Sequence, residues 1–211
     1  MQDMSKRDLY IKAKSSTPAT APVGAKPLKT NQTTSFRTGD DGDTQRGRAV
    51  SLLTLASNNP FGNTNRFTAL DGTQTYTNSI ILDWNTYDGV SVLSYCTADI
   101  AVTERWNNQT DNANAATHGG YTDWTMCNAF ELMNIANFAS GNNSMISLNY
   151  SPFNIPDGVN IWTSTTGERA DGLTSSAVAR NTANILNILG KTTNGVRRID
   201  VRYFTNAELG I

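Results

Sequence analysis

The sequence predicts an α+β fold rich in short strands, preceded by an extended N-terminal arm. Three observations carry this. Apolar runs of strand length flank Asp88-Gly89, a dipeptide that favours a tight hairpin turn. Asn128 followed three residues later by Glu131 marks the start of a short helix. Finally, Val196, Arg197, Arg198, Ile199, Asp200, Val201, Arg202 and Tyr203 alternate as a half-buried strand does.

Residues 1–45 form the arm. Pro18, Pro22 and Pro27 stand four or five residues apart in a stretch of Ala, Thr, Ser and Lys. Proline at that density blocks helix and central strand and leaves an extended chain. Leu9, Tyr10 and Ile11 are its only compact apolar group. Two readings stay open: a plain disordered tail, and an arm that orders on a neighbouring subunit with these residues as anchors. Thr38-Gly39-Asp40-Asp41-Gly42-Asp43 reads as an acidic turn. Two readings stay open here as well: a calcium site, since that hard cation takes several oxygen ligands, and ordinary Asx turns, which the missing residue order of a calcium loop favours.

Residues 46–95 read as a small β region with a hairpin. Ala49–Leu55 is apolar and of strand length, and residues 58–63 are crowded with turn formers. Gln74–Trp84 reads as a strand through Tyr76, Ile80, Ile81, Leu82 and Trp84. Its partner follows the turn, so 78–85 and 89–96 should pair antiparallel.

Residues 96–211 form the third region. Residues 107–117, rich in Asn, Ala and Thr, read as a loop or weak helix. From Asn128 a helix should run with Leu132, Ile135 and Ala136 on one face and stop at Ser140-Gly141. Residues 175–189 carry apolar residues at near-helical spacing, and propensity alone allows a helix there.

Composition excludes several functions. Seventeen basic and eighteen acidic residues give a net charge of −1, with no concentrated basic face for nucleic acid. No apolar run approaches the ~20 residues that span a bilayer, so no membrane insertion is expected. The N-terminal residues have no apolar stretch of the secretory kind, which implies synthesis in a cytoplasm. Cys96 and Cys127 are therefore expected as buried free thiols. His118 is the only histidine and lies beside Gly119-Gly120, where flexibility is the expected purpose. No catalytic triad, phosphate loop or metal-ligand cluster is evident. Glu104 with Glu131 is the carboxylate pair to consider for glycoside hydrolysis, and nothing favours it. The chain is expected not to be an enzyme and to need no cofactor.

One series of short motifs is more specific. Gly119-Gly120-Tyr121 leads to Asp123-Trp124; Asn128, Glu131 and Leu132 follow; then come Trp162, Ser164 and Thr165, and last Val201-Arg202. Their order and spacing over residues 104–205 resemble the DUF1566 family, the C-terminal domain type of a bacterial collagen-like adhesin. Where that family has Arg-Leu-Pro, this chain has Thr125-Met126-Cys127, a departure. The resemblance implies a C-type lectin-like domain over 96–211, with strands at Ser176–Arg180 and Ile185–Ile188 before the closing strand. Physically, Asp123, Trp124, Glu131 and Trp162 look architectural: two large apolar side chains for the core, one helix cap at Glu131, and an Asp that can cap or bind loop amides, with Arg202 able to pair with one of these acids. Ligand contacts then fall to loops, with Glu168, Arg169 and Asp171 as candidates.

The family is frequent in phage virion proteins. That implies a virion structural protein, assembled in the host cytoplasm, whose lectin-like domain adheres to a host-surface molecule or glycan. It would contact other virion proteins through its arm, as a homo-oligomer with a trimer as one form. The rival is a purely structural decoration, collar or tail-adaptor protein.

Overall fold

In the computed structural model, the described residues are 35, 37–38, 41–44, 51–137, 147–156, 158–167, 176–180, 187–190 and 193–211. Leu9, Tyr10 and Ile11 lie outside them. The structure is mixed and sheet-rich, with an antiparallel sheet of five strands and few, short helices.

That sheet has the order β1-β2-β3-β8-β4. Its strands are β1 (Phe67–Thr68), β2 (Ile80–Asp83), β3 (Ser91–Cys96), β4 (Thr125–Met126) and β8 (Asp200–Thr205). The expected hairpin forms, with Ile80 opposite Cys96, Ile81 opposite Tyr95 and Leu82 opposite Ser94. Asp88 fixes its turn by accepting the Val90 and Ser91 amides at 2.9 and 2.8 Å. β8 then pairs with all six residues of β3. One sheet thus draws strands from both sides of position 95/96.

Both faces of the sheet are covered, which explains the unbroken apolar run Ile80-Ile81-Leu82. On one face Ile81, Leu93, Tyr95 and Val201 pack under Leu132, Ile135, Leu148 and Phe153. On the other, Ile80, Leu82, Val92, Cys96 and Phe204 pack against Trp84 and Trp124. A three-stranded sheet, β5 (Ile161–Gly167), β6 (Ser176–Arg180) and β7 (Asn187–Gly190), stands beside it in that order. Strands, not a helix, therefore occupy this region. β6 has the expected bounds, and β7 lies two residues beyond the expected Ile185–Ile188.

Four α-helices are described: α1 (Asp41–Thr44), α2 (Trp106–Asn114), α3 (Ala129–Asn134) and α4 (Asn206–Leu209). At α3 the Asn128 side chain accepts the Phe130 and Glu131 amides while Glu131 returns to the Asn128 amide at 2.7 Å. This is the capping box that the spacing predicts. The helix is shorter than expected and ends at Asn134, whose carbonyl accepts Arg66 Nη2 at 2.8 Å. A side chain has taken over a carbonyl at the helix end.

Other expectations are corrected. Residues 51–55 form no strand, only an isolated bridge between Thr54 and Asn65. Asn59 ties the loop beside them, donating to Asn63 Oδ1 at 2.9 Å and the Asn65 carbonyl at 3.0 Å. The 74–84 strand shrinks to β2, because Asn78 and Ser79 adopt left-handed backbone at φ 59° and 58°. The closing strand starts at Asp200 instead of Val196, since Val196 and Arg197 bridge Glu104 and Ile161. Asp41 to Thr44 make a helical turn where an acidic bend is expected.

Candidate functional site

The densest group of ionisable side chains among the described residues gathers around Asp200, at the start of β8. His118 reaches it from a tight turn in which the amides and carbonyls of His118 and Tyr121 exchange hydrogen bonds at 3.1 Å. Gly119 and Gly120 form that turn at φ 60° and 87°. A Cβ on Gly119 would lie 2.7 Å from Ile80 Cδ1. These glycines therefore fix a turn, and the expectation that they give His118 flexibility is corrected. The imidazole meets Asp200 Oδ2 at 2.9 Å and stands edge-on to Trp124 at 5.3 Å.

Arg198, two residues before Asp200, closes the group. Its Nε donates to Asp200 Oδ1 at 2.8 Å, its Nη1 to Gln109 Oε1 at 2.7 Å, and its Nη2 to Asp99 Oδ2. Gln109, buried in α2, donates onward to the carbonyls of Val102 and Val196 at 2.9 and 3.0 Å. The network thereby stitches α2, the turn after β3 and the entry of β8 together. Asp99, His118 and Asp200 also bring one donor atom each within 4.8 Å of one another, a set that a transition metal can take. Sequence analysis anticipates no such cluster. The guanidinium of Arg198 decides its use. It already lies on both carboxylates, so a metal ion would stand beside a fixed positive charge. The arrangement is an ion-pair lock.

No family model matches the chain, and no curated protein matches it.

Two further locks have the same character. Arg202 lies over the rings of Tyr121 and Phe204, 4.3 and 4.0 Å from their centres. Its Nε stands 2.8 Å from Asp123 Oδ1, and its Nη2 donates to Asp123 Oδ2 at 3.0 Å and Glu208 Oε1 at 2.8 Å. The hydrogen bond from Arg202, then the Thr205 amide, lowers the Glu208 carboxyl to about 2. Arg66 grips Asp83, and Asn134 Nδ2 adds a third contact to Asp83 at 2.7 Å.

The remaining expected residues fall as follows. Trp124 and Trp162 are 1% and 0% exposed, and their indoles donate to the carbonyls of Tyr121 and Glu104 at 3.0 and 3.2 Å. Glu131 is engaged by its own helix, and Glu104 accepts Asn108 Nδ2 at 3.1 Å. Cys96 and Cys127 are buried free thiols. Burial pushes the Cys96 thiol up to about 12 and raises Cys127 as well. Glu168, Arg169 and Asp171 lie outside the described residues. No helix among the described residues is long and apolar enough to cross a membrane.

Sequence reasoning misses Asp99, Gln109 and Arg198. One signal for them exists: Arg198 and Asp200 share a face at strand spacing.

Proposed function

We propose that this chain is a phage virion structural protein that displays a C-type lectin-like domain for adhesion to a host-surface glycan or similar molecule. It binds and does not catalyse. One observation carries the proposal: the residues that resemble the family motif are consumed by architecture. Trp124 and Trp162 fill cores, Asp123 holds Arg202, and Glu131 caps α3. Such a scaffold leaves recognition to the loops between its elements. Glu168, Arg169 and Asp171, in the segment after β5, remain the first residues to test. Weak single sites repeated on a particle would act through avidity. The arm, residues 1–45, would join the protein to other virion proteins as a homo-oligomer.

The second reading is a decoration, collar or tail-adaptor role without a ligand. The exposure of Phe130 and Tyr203, 81% and 55%, favours it, because large exposed side chains suit packing between neighbours.

The full-length chain, multimerised on beads, distinguishes the two. Adhesion predicts retention of bacterial cells or arrayed surface glycans, lost when Glu168, Arg169 and Asp171 are changed to Ala together. Retention should change only modestly with salt, unlike a counterion-driven interaction. Beads that retain nothing leave the structural role.

A further inference from the structure

Asn194-Gly195 is the only Asn-Gly pair in the chain. In such a pair the glycine amide can reach the preceding side-chain carbonyl, because no Cβ stands in the way. The fold leaves this pair open. Both residues are exposed, in a bend just before the bridge at Val196. Gly195 lies at φ 80°, and a Cβ built on it would meet nothing within 4 Å. Among the described residues, no backbone carbonyl accepts its amide.

Arg105 supplies a second element. The Glu104 amide donates to the Val196 carbonyl at 3.1 Å, which lays 104–105 alongside 194–196. The Arg105 carbonyl accepts the Gln109 amide at 3.0 Å, so its backbone is held at the start of α2. From there Arg105 Nε donates to Asn194 Oδ1 at 3.1 Å. A guanidinium only donates, so the amide oxygen must face it and Nδ2 must point elsewhere. Attack on Cγ builds negative charge on that oxygen, where a cationic donor already sits. By contrast, the Asp71-Gly72 and Asp88-Gly89 carboxylates are engaged, accepting the amide of Thr73 and those of Val90 and Ser91.

We propose that Asn194 is a site of spontaneous deamidation, assisted by Arg105. Gly195 N attacks Asn194 Cγ, and the new C–N bond closes a succinimide ring. The Cγ–Nδ2 bond breaks, and Nδ2 leaves as ammonia with the proton from the Gly195 amide. Water then opens the ring at either carbonyl, giving aspartate or isoaspartate. The two products differ in consequence. Aspartate sets a carboxylate against Arg105. Isoaspartate adds a methylene to the main chain immediately before Val196. The Val196 carbonyl accepts the Glu104 amide and Gln109 Nε2, and its side chain packs with Trp162. The isoaspartyl form therefore loosens the attachment of α2, whatever the chain binds.

The test keeps the full-length chain at mildly alkaline pH in heavy-oxygen water, then digests it with trypsin in ordinary water, which releases residues 192–197. That peptide should gain heavy oxygen faster than any other that contains asparagine, and fragmentation should show both products. Asn194→Gln should abolish the labelling. Arg105→Met should slow it about fivefold in the folded chain, the worth of one exposed hydrogen bond. In urea the same variant should label as fast as the native sequence, since 105 and 194 are no longer neighbours. Arg105 is exposed, so an unchanged thermal midpoint checks that its variant folds. Separated from aged protein, the isoaspartyl form should melt below both the native chain and Asn194→Asp. Labelling no faster at 194 than at other asparagines overturns the site. Equal or faster labelling of folded Arg105→Met overturns the part given to Arg105.

Discussion

Arg66 holds Asp83 through both carboxylate oxygens, Nε to Oδ1 and Nη2 to Oδ2, each at 2.8 Å, with both side chains buried. The contact joins the entry of β1 to the end of β2, and through Asn134 it fastens α3 to the sheet. Breaking one side of such a pair strands a buried charge and costs about 3–5 kcal/mol, whereas replacing both sides with apolar groups can be neutral. Asp83→Ala should therefore lower stability by that amount in urea unfolding. Arg66→Met with Asp83→Leu should recover much of it. Equal losses in the single and double variants would refute this account.

Trp162 fills the third core cluster with Met126, Ala113 and Val196. Truncating a buried Trp costs about 3–5 kcal/mol. Trp162→Ala should give a protease-sensitive chain. A folded variant that merely loses adhesion would make Trp162 a ligand contact.

The lock around Asp200 should behave as an ion-pair network and not as a metal centre. Chelator and added zinc should both leave the thermal midpoint of the native chain unmoved. Arg198→Met should destabilise strongly, since it leaves Asp99 and Asp200 facing each other without their shared guanidinium. A zinc-dependent rise in the midpoint of the native chain would contradict this.

Glu208 provides a pH signature. Its carboxyl sits at about 2 in the fold against an ordinary value of 4.5. The folded state thus binds fewer protons between these values. The stabilisation is fully present above the ordinary value and is lost as pH falls towards the folded one. Glu208→Gln should flatten the acid limb of a stability–pH curve relative to the native chain. Superimposable acid limbs would show that the contact contributes nothing.

The two thiols should resist alkylation at mild alkaline pH in the native chain, because burial raises both. Both should react in denaturant without reductant. Rapid labelling of either in the folded protein would mean that its covering opens readily.

What sequence could reveal was local. Asp88-Gly89 and the Asn128–Glu131 box are short-range chemistry, complete within a few residues, and both are found as read. Strand alternation over 196–203 reached only the first four residues of β8, Asp200 to Tyr203, because Val196 and Arg197 bridge other elements instead of joining the sheet. Failure came where tertiary partners decide. Arg198 and Asp99 are 99 residues apart, and no periodicity links them. Residues 51–55 have the apolar content of a strand, yet the adjacent loop is tied by Asn59 side-chain bonds that replace a ladder. His118 looked like a mobile histidine because its partner, Asp200, is 82 residues away.

The position of β8 in the five-stranded sheet governs the order in which the chain can fold during synthesis. β3 can pair with β2 as soon as the hairpin leaves the ribosome, but its other edge waits for residues 200–205. Until then six residues of β3 present unpaired backbone groups, the kind of edge that templates aggregation. The pairing spans more than a hundred residues of chain, a contact that forms slowly. Translation that pauses before β8 should therefore yield inclusion bodies, and a chaperone that shields strand edges should raise the recovery of native protein.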